Sequence, residues 1–84
     1  MTAPHVPSPA DDALTMWTVY DHPRDFPNHF VARCFQIKAD AAVATKSVVT
    51  ADKIETIRSV MQRMGKVCLQ RDPNDDPKIV EVWL

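Results

Sequence analysis

Between Ala51 and Gly65 the chain carries an apolar stripe that only a helix satisfies. Ile54, Ile57, Val60, Met61 and Met64 recur at spacings of three and four, while Lys53, Glu55, Arg58, Ser59, Gln62 and Arg63 fall away from the stripe. A helix with one apolar face must bury that face against another element. Its ends are marked as well. Thr50 or Asp52 is placed to cap the N-terminus, Asp52 and Glu55 have the spacing of a capping box, and Gly65, the only glycine of the chain, suits the left-handed position just past the C-terminus.

The remaining segments read as strands, so the surface that receives the helix is a sheet. Met16-Trp17-Thr18-Val19-Tyr20 is dense in β-branched and aromatic residues and ends in the turn-forming Asp21-His22-Pro23. Phe30 to Lys38 places Val31, Phe35 and Ile37 on one face and Phe30, Ala32 and Cys34 on the other. A short strand is expected at 45–49, then the helix, then Val67 to Gln70. After the Pro- and Asp-rich stretch 71–78, the closing strand Ile79 to Leu84 is expected to pair antiparallel with 67–70. The expected fold is α+β, a small antiparallel sheet of four or five strands packed against one helix in the order β-β-(β)-α-β-β.

With 84 residues the chain supports one core. Residues 1–15 contain Pro4, Pro7 and Pro9 and few large apolar side chains, so they are expected to form a disordered tail ahead of a single domain over 16–84, with Met16 as an alternative start. The formal net charge of −1 supplies no global field toward nucleic acid or an anionic membrane. No apolar run reaches the roughly 18 residues of a membrane span, and two cysteines make no disulfide framework, so a cytoplasmic location with no membrane partner is expected.

Three stretches carry a resemblance. Tyr20-Asp21-His22-Pro23-Arg24-Asp25-Phe26-Pro27, Phe30-Val31-Ala32-Arg33 and Asp75-Asp76-Pro77-Lys78-Ile79-Val80-Glu81-Val82-Trp83-Leu84 resemble a group of short bacterial and prophage-associated proteins of uncharacterised function. The resemblance implies no activity. It does direct attention to the 21–27 loop and the last strand, and it is consistent with a start near Met16.

The loop from Asp21 to His29 is the densest polar cluster, and its two prolines restrict the backbone that presents His22, Arg24, Asp25 and His29, with Phe26 as an apolar anchor. The final strand has apolar residues on both faces: Val80, Val82 and Leu84 on one, Ile79 and Trp83 beside Glu81 on the other. Once the helix covers one face, Trp17, Phe30, Ile79 and Trp83 are expected to need further cover. The first reading is therefore a non-catalytic protein-interaction module that meets a protein partner, a homodimer included, through His22, Arg24, Asp25, Phe26, His29 and Trp83.

Two other classes are carried beside it. Lys53, Arg58, Arg63 and Lys66 give the outer helix face a positive balance, as in a small nucleic-acid-associated accessory protein. That reading lacks interleaved aromatics for base stacking. A cysteine- or metal-dependent enzyme would draw on Cys34, Cys68, His22 and His29, but their spacing fits no zinc knuckle, no nucleophile elbow is present, and one glycine cannot make a phosphate loop. The acids at 72–76 lack the glycine and terminal glutamate of a calcium loop. No cofactor is assigned.

Overall fold

The computed structural model describes residues 14–84 and consists of β1 (Thr15–Asp21), β2 (Phe30–Ile37), β3 (Ala42–Ala51), α1 (Ile54–Arg63), β4 (Cys68–Gln70) and β5 (Ile79–Trp83). The expected α+β fold is the one observed, with five strands. The strands form one sheet in the order β3-β2-β1-β5-β4, every neighbouring pair antiparallel. The expected tail lies almost wholly outside the described residues. Of its last two positions, Leu14 accepts a backbone hydrogen bond from Ile37 (2.8 Å) and Thr15 opens β1.

The β1–β2 ladder pairs Trp17 with Cys34 and Val19 with Ala32, and the β1–β5 ladder pairs Trp17 with Trp83. Alternation along each strand then gathers Trp17, Val19, Phe30, Ala32, Cys34, Val49 and Trp83 on the face that receives the helix. From α1, Ile57 and Met61 are fully buried in this cluster, and Ile54 and Val60 pack at its margin. Met64, the last residue of the stripe, is exposed beyond the helix end.

β3 and β4 are opposite edges of the sheet and run in the same direction, so the connection between them must cross the sheet and return along it. A ten-residue helix, about 15 Å long, does both. Its C-terminus is set by a Schellman motif. Gly65 sits at φ 75°, with its N–H donating to the Gln62 carbonyl and the Lys66 N–H to the Met61 carbonyl. The N-terminus departs from expectation. Lys53 is the cap residue and no side chain bonds the first turn, because β3 runs on through Ala51 and leaves Asp52 on an exposed corner facing His29 rather than the helix amides.

β3 is also twice the length expected. Its ladder with β2 is interrupted between Arg33 and Phe35, whose partners are Val48 and Ala44. The intervening bulge is held by the Thr45 hydroxyl, which donates to the Cys34 carbonyl (3.0 Å) and accepts from the Ser47 N–H (3.1 Å).

The expectation about surplus apolar residues is overturned for three of the four. Trp17, Phe30 and Trp83 belong to the helix-covered core, whereas Ile79, beyond the register shift at Val19/Tyr20, pairs with Tyr20 on the face without a helix, which also bears Val82 and Leu84. The physical reason is the charge on β5. Glu81 shares the Trp83 face and is only 5% exposed, and the helix supplies its partner: Arg58 donates from Nη2 (2.8 Å) and Nε (3.2 Å), while Trp83 Nε1 donates at 2.8 Å. An ionic anchor for Glu81 and cover for two indoles come from the same element.

Candidate functional site

The helix-free face is built from Met16, Thr18 and Tyr20 of β1, Val31, Arg33 and Phe35 of β2, Val82 of β5, and Leu69 of β4, as the registers dictate. Two cross-strand rows organise it. One runs Phe35, Met16, Leu84 and Val67; the other runs Arg33, Thr18, Val82 and Leu69. Toward β4 this surface is apolar and open, with Leu84 37%, Leu69 45% and Val67 64% exposed.

At the other end the face is closed by the β1–β2 connection. Two successive turns shape it, Phe26 N–H donating to the Pro23 carbonyl (3.0 Å) and His29 N–H to the Phe26 carbonyl (3.2 Å), and His22 N–H donating to the His29 carbonyl (3.0 Å) closes the loop. His22 opens it at φ 49°, a left-handed conformation that a non-glycine residue adopts only at some cost in strain. Its ring packs edge-on against Phe30 at 5.0 Å and contacts the Asp21 carboxylate.

Arg33 ties the loop to the sheet. Its guanidinium binds the Asp25 carboxylate and lies over the rings of Phe26 (5.8 Å) and Tyr20 (5.9 Å). Beside it opens a hollow of about 400 Å³ lined by Tyr20, Pro23, Arg24, Asp25, Arg33, Asp76 and Lys78. Asp76 and Lys78 arrive from the β4–β5 loop, which is joined to the end of β1 by the Asp21 N–H to the Lys78 carbonyl (2.8 Å) and to the β1–β2 loop by Lys78 Nζ to the His22 carbonyl (3.3 Å).

The sequence-derived residues are therefore separated into four places, His22 being held against Phe30 and Asp21. Arg24, Asp25 and Phe26 lie on the helix-free face. His29 turns toward Asp52 (3.5 Å) in a different hollow of about 540 Å³, shared with Thr50, Lys53 and Thr56. Trp83 is buried under the helix, so the last strand meets the outside through Leu84 and Val82 instead. The sequence does not single out Tyr20, Arg33 or Lys78, and it offers Asp76 only as one of the acids at 72–76. The available signal was Arg33 itself, a cation on the face otherwise occupied by Val31 and Phe35.

The basic helix residues do not form a free cluster. Arg58 is held by Glu81, and Lys66 Nζ donates to the Thr15 hydroxyl (2.9 Å), which leaves Lys53 and Arg63 exposed at opposite ends of the helix. Cys34 and Cys68 end a transverse row, Cys34-Trp17-Trp83-Cys68, and three inter-strand spacings put them about 14 Å apart, too far for a disulfide. Among the described residues no three His, Cys, Asp or Glu side chains converge as metal ligands, and no helix is long and apolar enough to cross a membrane.

Electrostatics at the hollow follow from Arg33. Its hydrogen bond holds the Asp25 carboxyl below the ordinary carboxylate value. Burial pushes the Tyr20 hydroxyl up, against the opposing pull of Arg33, so it is a neutral donor at pH 7. On the opposite face, local desolvation raises Cys68, which stays a thiol at neutral pH. Because the folded-state pKa of Asp25 is depressed, its contribution to stability is present above the unfolded value of about 3.9 and is lost as pH falls through the folded value. An NMR titration of Asp25 should show the depressed midpoint, and Arg33→Gln should return it to the ordinary range. An unchanged midpoint in the variant would remove Arg33 as the cause.

Comparison of the chain with family models, with curated proteins and with solved structures finds no match.

Proposed function

We propose that this chain is a non-catalytic protein-interaction module that receives a protein partner on the helix-free face of the sheet, at the hollow between the β1–β2 and β4–β5 loops. The observation that carries this reading is that a mixed-charge hollow and an open apolar band lie on the same sheet face. Arg24, Asp76 and Lys78 offer charged contacts at the rim, and Phe26 stacked on Arg33 offers a restrained aromatic edge. The two loops are hydrogen-bonded to each other, so little ordering entropy remains to oppose binding. The groups lining the hollow also favour binding over catalysis. Asp25 is committed to Arg33, and Tyr20 is a neutral hydroxyl rather than an activated nucleophile.

The test is affinity capture from the native cell with wild type beside Arg24→Asp and Phe26→Ala, each checked for an unaltered melting transition. Partners retained by wild type and lost by both variants are expected. An identical set in all three would remove this face from consideration. Binding to DNA or RNA that falls steeply with salt and is abolished by Lys53→Ala with Arg63→Ala would instead establish the nucleic-acid-associated reading.

A further inference from the structure

We propose that the outer edge of β4 pairs with β4 of a second copy across a two-fold axis at Leu69, joining the two sheets into one. This edge is separate from the loop hollow and shares with the face proposed above only the apolar band of Val67, Leu69 and Leu84.

The hydrogen-bond phase of β4 decides which groups are free. Val67 and Leu84 exchange both backbone bonds (2.8 and 2.9 Å), and alternation makes Leu69 and Val82 the next such pair. Cys68 and Gln70 therefore turn their N–H and C=O groups outward, where no described residue pairs with them. Such an edge templates another strand unless something blunts it. The opposite edge is blunted: β3 carries the Thr45–Ser47 bulge and the exposed Lys46. β4 is only three residues long, but neither it nor the Val67 before it carries a proline, a charge or a bulge.

Self-pairing has one register that satisfies the flanking charges. With Leu69 on the axis, Cys68 and the partner's Gln70 exchange both outward backbone bonds, and Lys66 falls opposite the partner's Asp72, twice by symmetry. Lys66 uses one donor on Thr15, and the exposed Asp72 carboxylate accepts from the Asn74 N–H (2.8 Å), so each keeps capacity for the other. A shift of two residues either way puts Lys66 opposite Gln70 or Asn74, neither of them an acid. The axis also brings the two Leu69 side chains together, and the exposed band of Val67, Leu69 and Leu84 then continues from one subunit to the next.

Sedimentation velocity of the full chain over a concentration series tests this. A monomer–dimer equilibrium is expected, weakened at least about tenfold by Leu69→Lys, which sets like charges against each other at the axis while leaving an exposed position free of folding consequences. Asp72→Lys is expected to weaken the dimer, and Lys66→Asp in the same chain to restore it. With Cys68→Ser as background, Leu69→Cys should oxidise to a covalent dimer and Val67→Cys should not. A monomer at every concentration, a dimer indifferent to Leu69→Lys, or cross-linking through Val67→Cys alone would each overturn the proposal. Arg24→Asp is expected to leave the dimer unchanged, so failure here is distinguishable from failure of the loop hollow.

Discussion

Ile57→Asp is expected to abolish the cooperative thermal transition, leaving a chain whose far-ultraviolet circular dichroism shows no sigmoidal melt at any temperature. Ile57 is fully buried between the helix and the sheet, among Trp17, Val19, Ala32, Cys34, Met61 and Trp83. The substitution forfeits roughly 1.5–3 kcal/mol of apolar burial and forces a carboxylate into a site with no described partner, at several kcal/mol more. A domain this small holds only about 3–5 kcal/mol in total, so the loss exceeds what is there. Ile57→Val, which removes one methylene, should cost only about 0.5–1.5 kcal/mol and keep the transition. A cooperative melt in Ile57→Asp would mean that the helix does not carry the core.

Arg58→Ala is expected to be the most damaging substitution of a half-exposed residue, lowering stability by about 2 kcal/mol. Its guanidinium is the cation for Glu81, whose carboxylate is buried and also accepts from Trp83. Breaking a buried pair by removing one partner costs about 3–5 kcal/mol, and the partial exposure of Arg58, which lets water reach Glu81, brings the figure down. Arg58→Lys should recover part of the loss, since it restores the charge without the two-nitrogen grip. Glu81→Gln tests the other side. It keeps an acceptor for the Trp83 indole and removes the charge, so it should be milder than Glu81→Ala, which leaves a buried N–H unpaired. Denaturant melts of the four variants rank these effects, and an Arg58→Ala variant as stable as wild type would reduce the pair to an incidental contact.

Both predictions concern the helix-covered face, and the two residues differ in how far they could be read in advance. Ile57 is the centre of a periodic stripe, and a stripe of that period has one use in a chain of this size. Arg58 falls on the polar side of the same wheel, where solvation is the default reading. What turns it inward is a glutamate twenty-three residues later on a strand whose neighbours cannot be read from local pattern. The candidate loop shows the same division. Its turns and prolines mark a shaped connection, but nothing local states that His29 faces Asp52 while Asp25 faces Arg33.

By itself the amino-acid sequence determined the elements and their type, the left-handed exit at Gly65, the alternation of β2, and the pairing of 67–70 with the last strand. Each depends on residues close enough along the chain for sterics, turn chemistry or period to act directly. The tertiary structure alone decided that β1 lies centrally between β2 and β5, that the helix covers the Trp17 and Trp83 face, and that β4 is left as an outer edge of the sheet. Those outcomes compare alternatives with similar local energies: either face of an amphipathic sheet can be covered, and either edge can be left open. The choice falls to the contacts that only one arrangement supplies, and in this chain they are the seating of two indoles under Ile57 and Met61 and the meeting of Glu81 with Arg58.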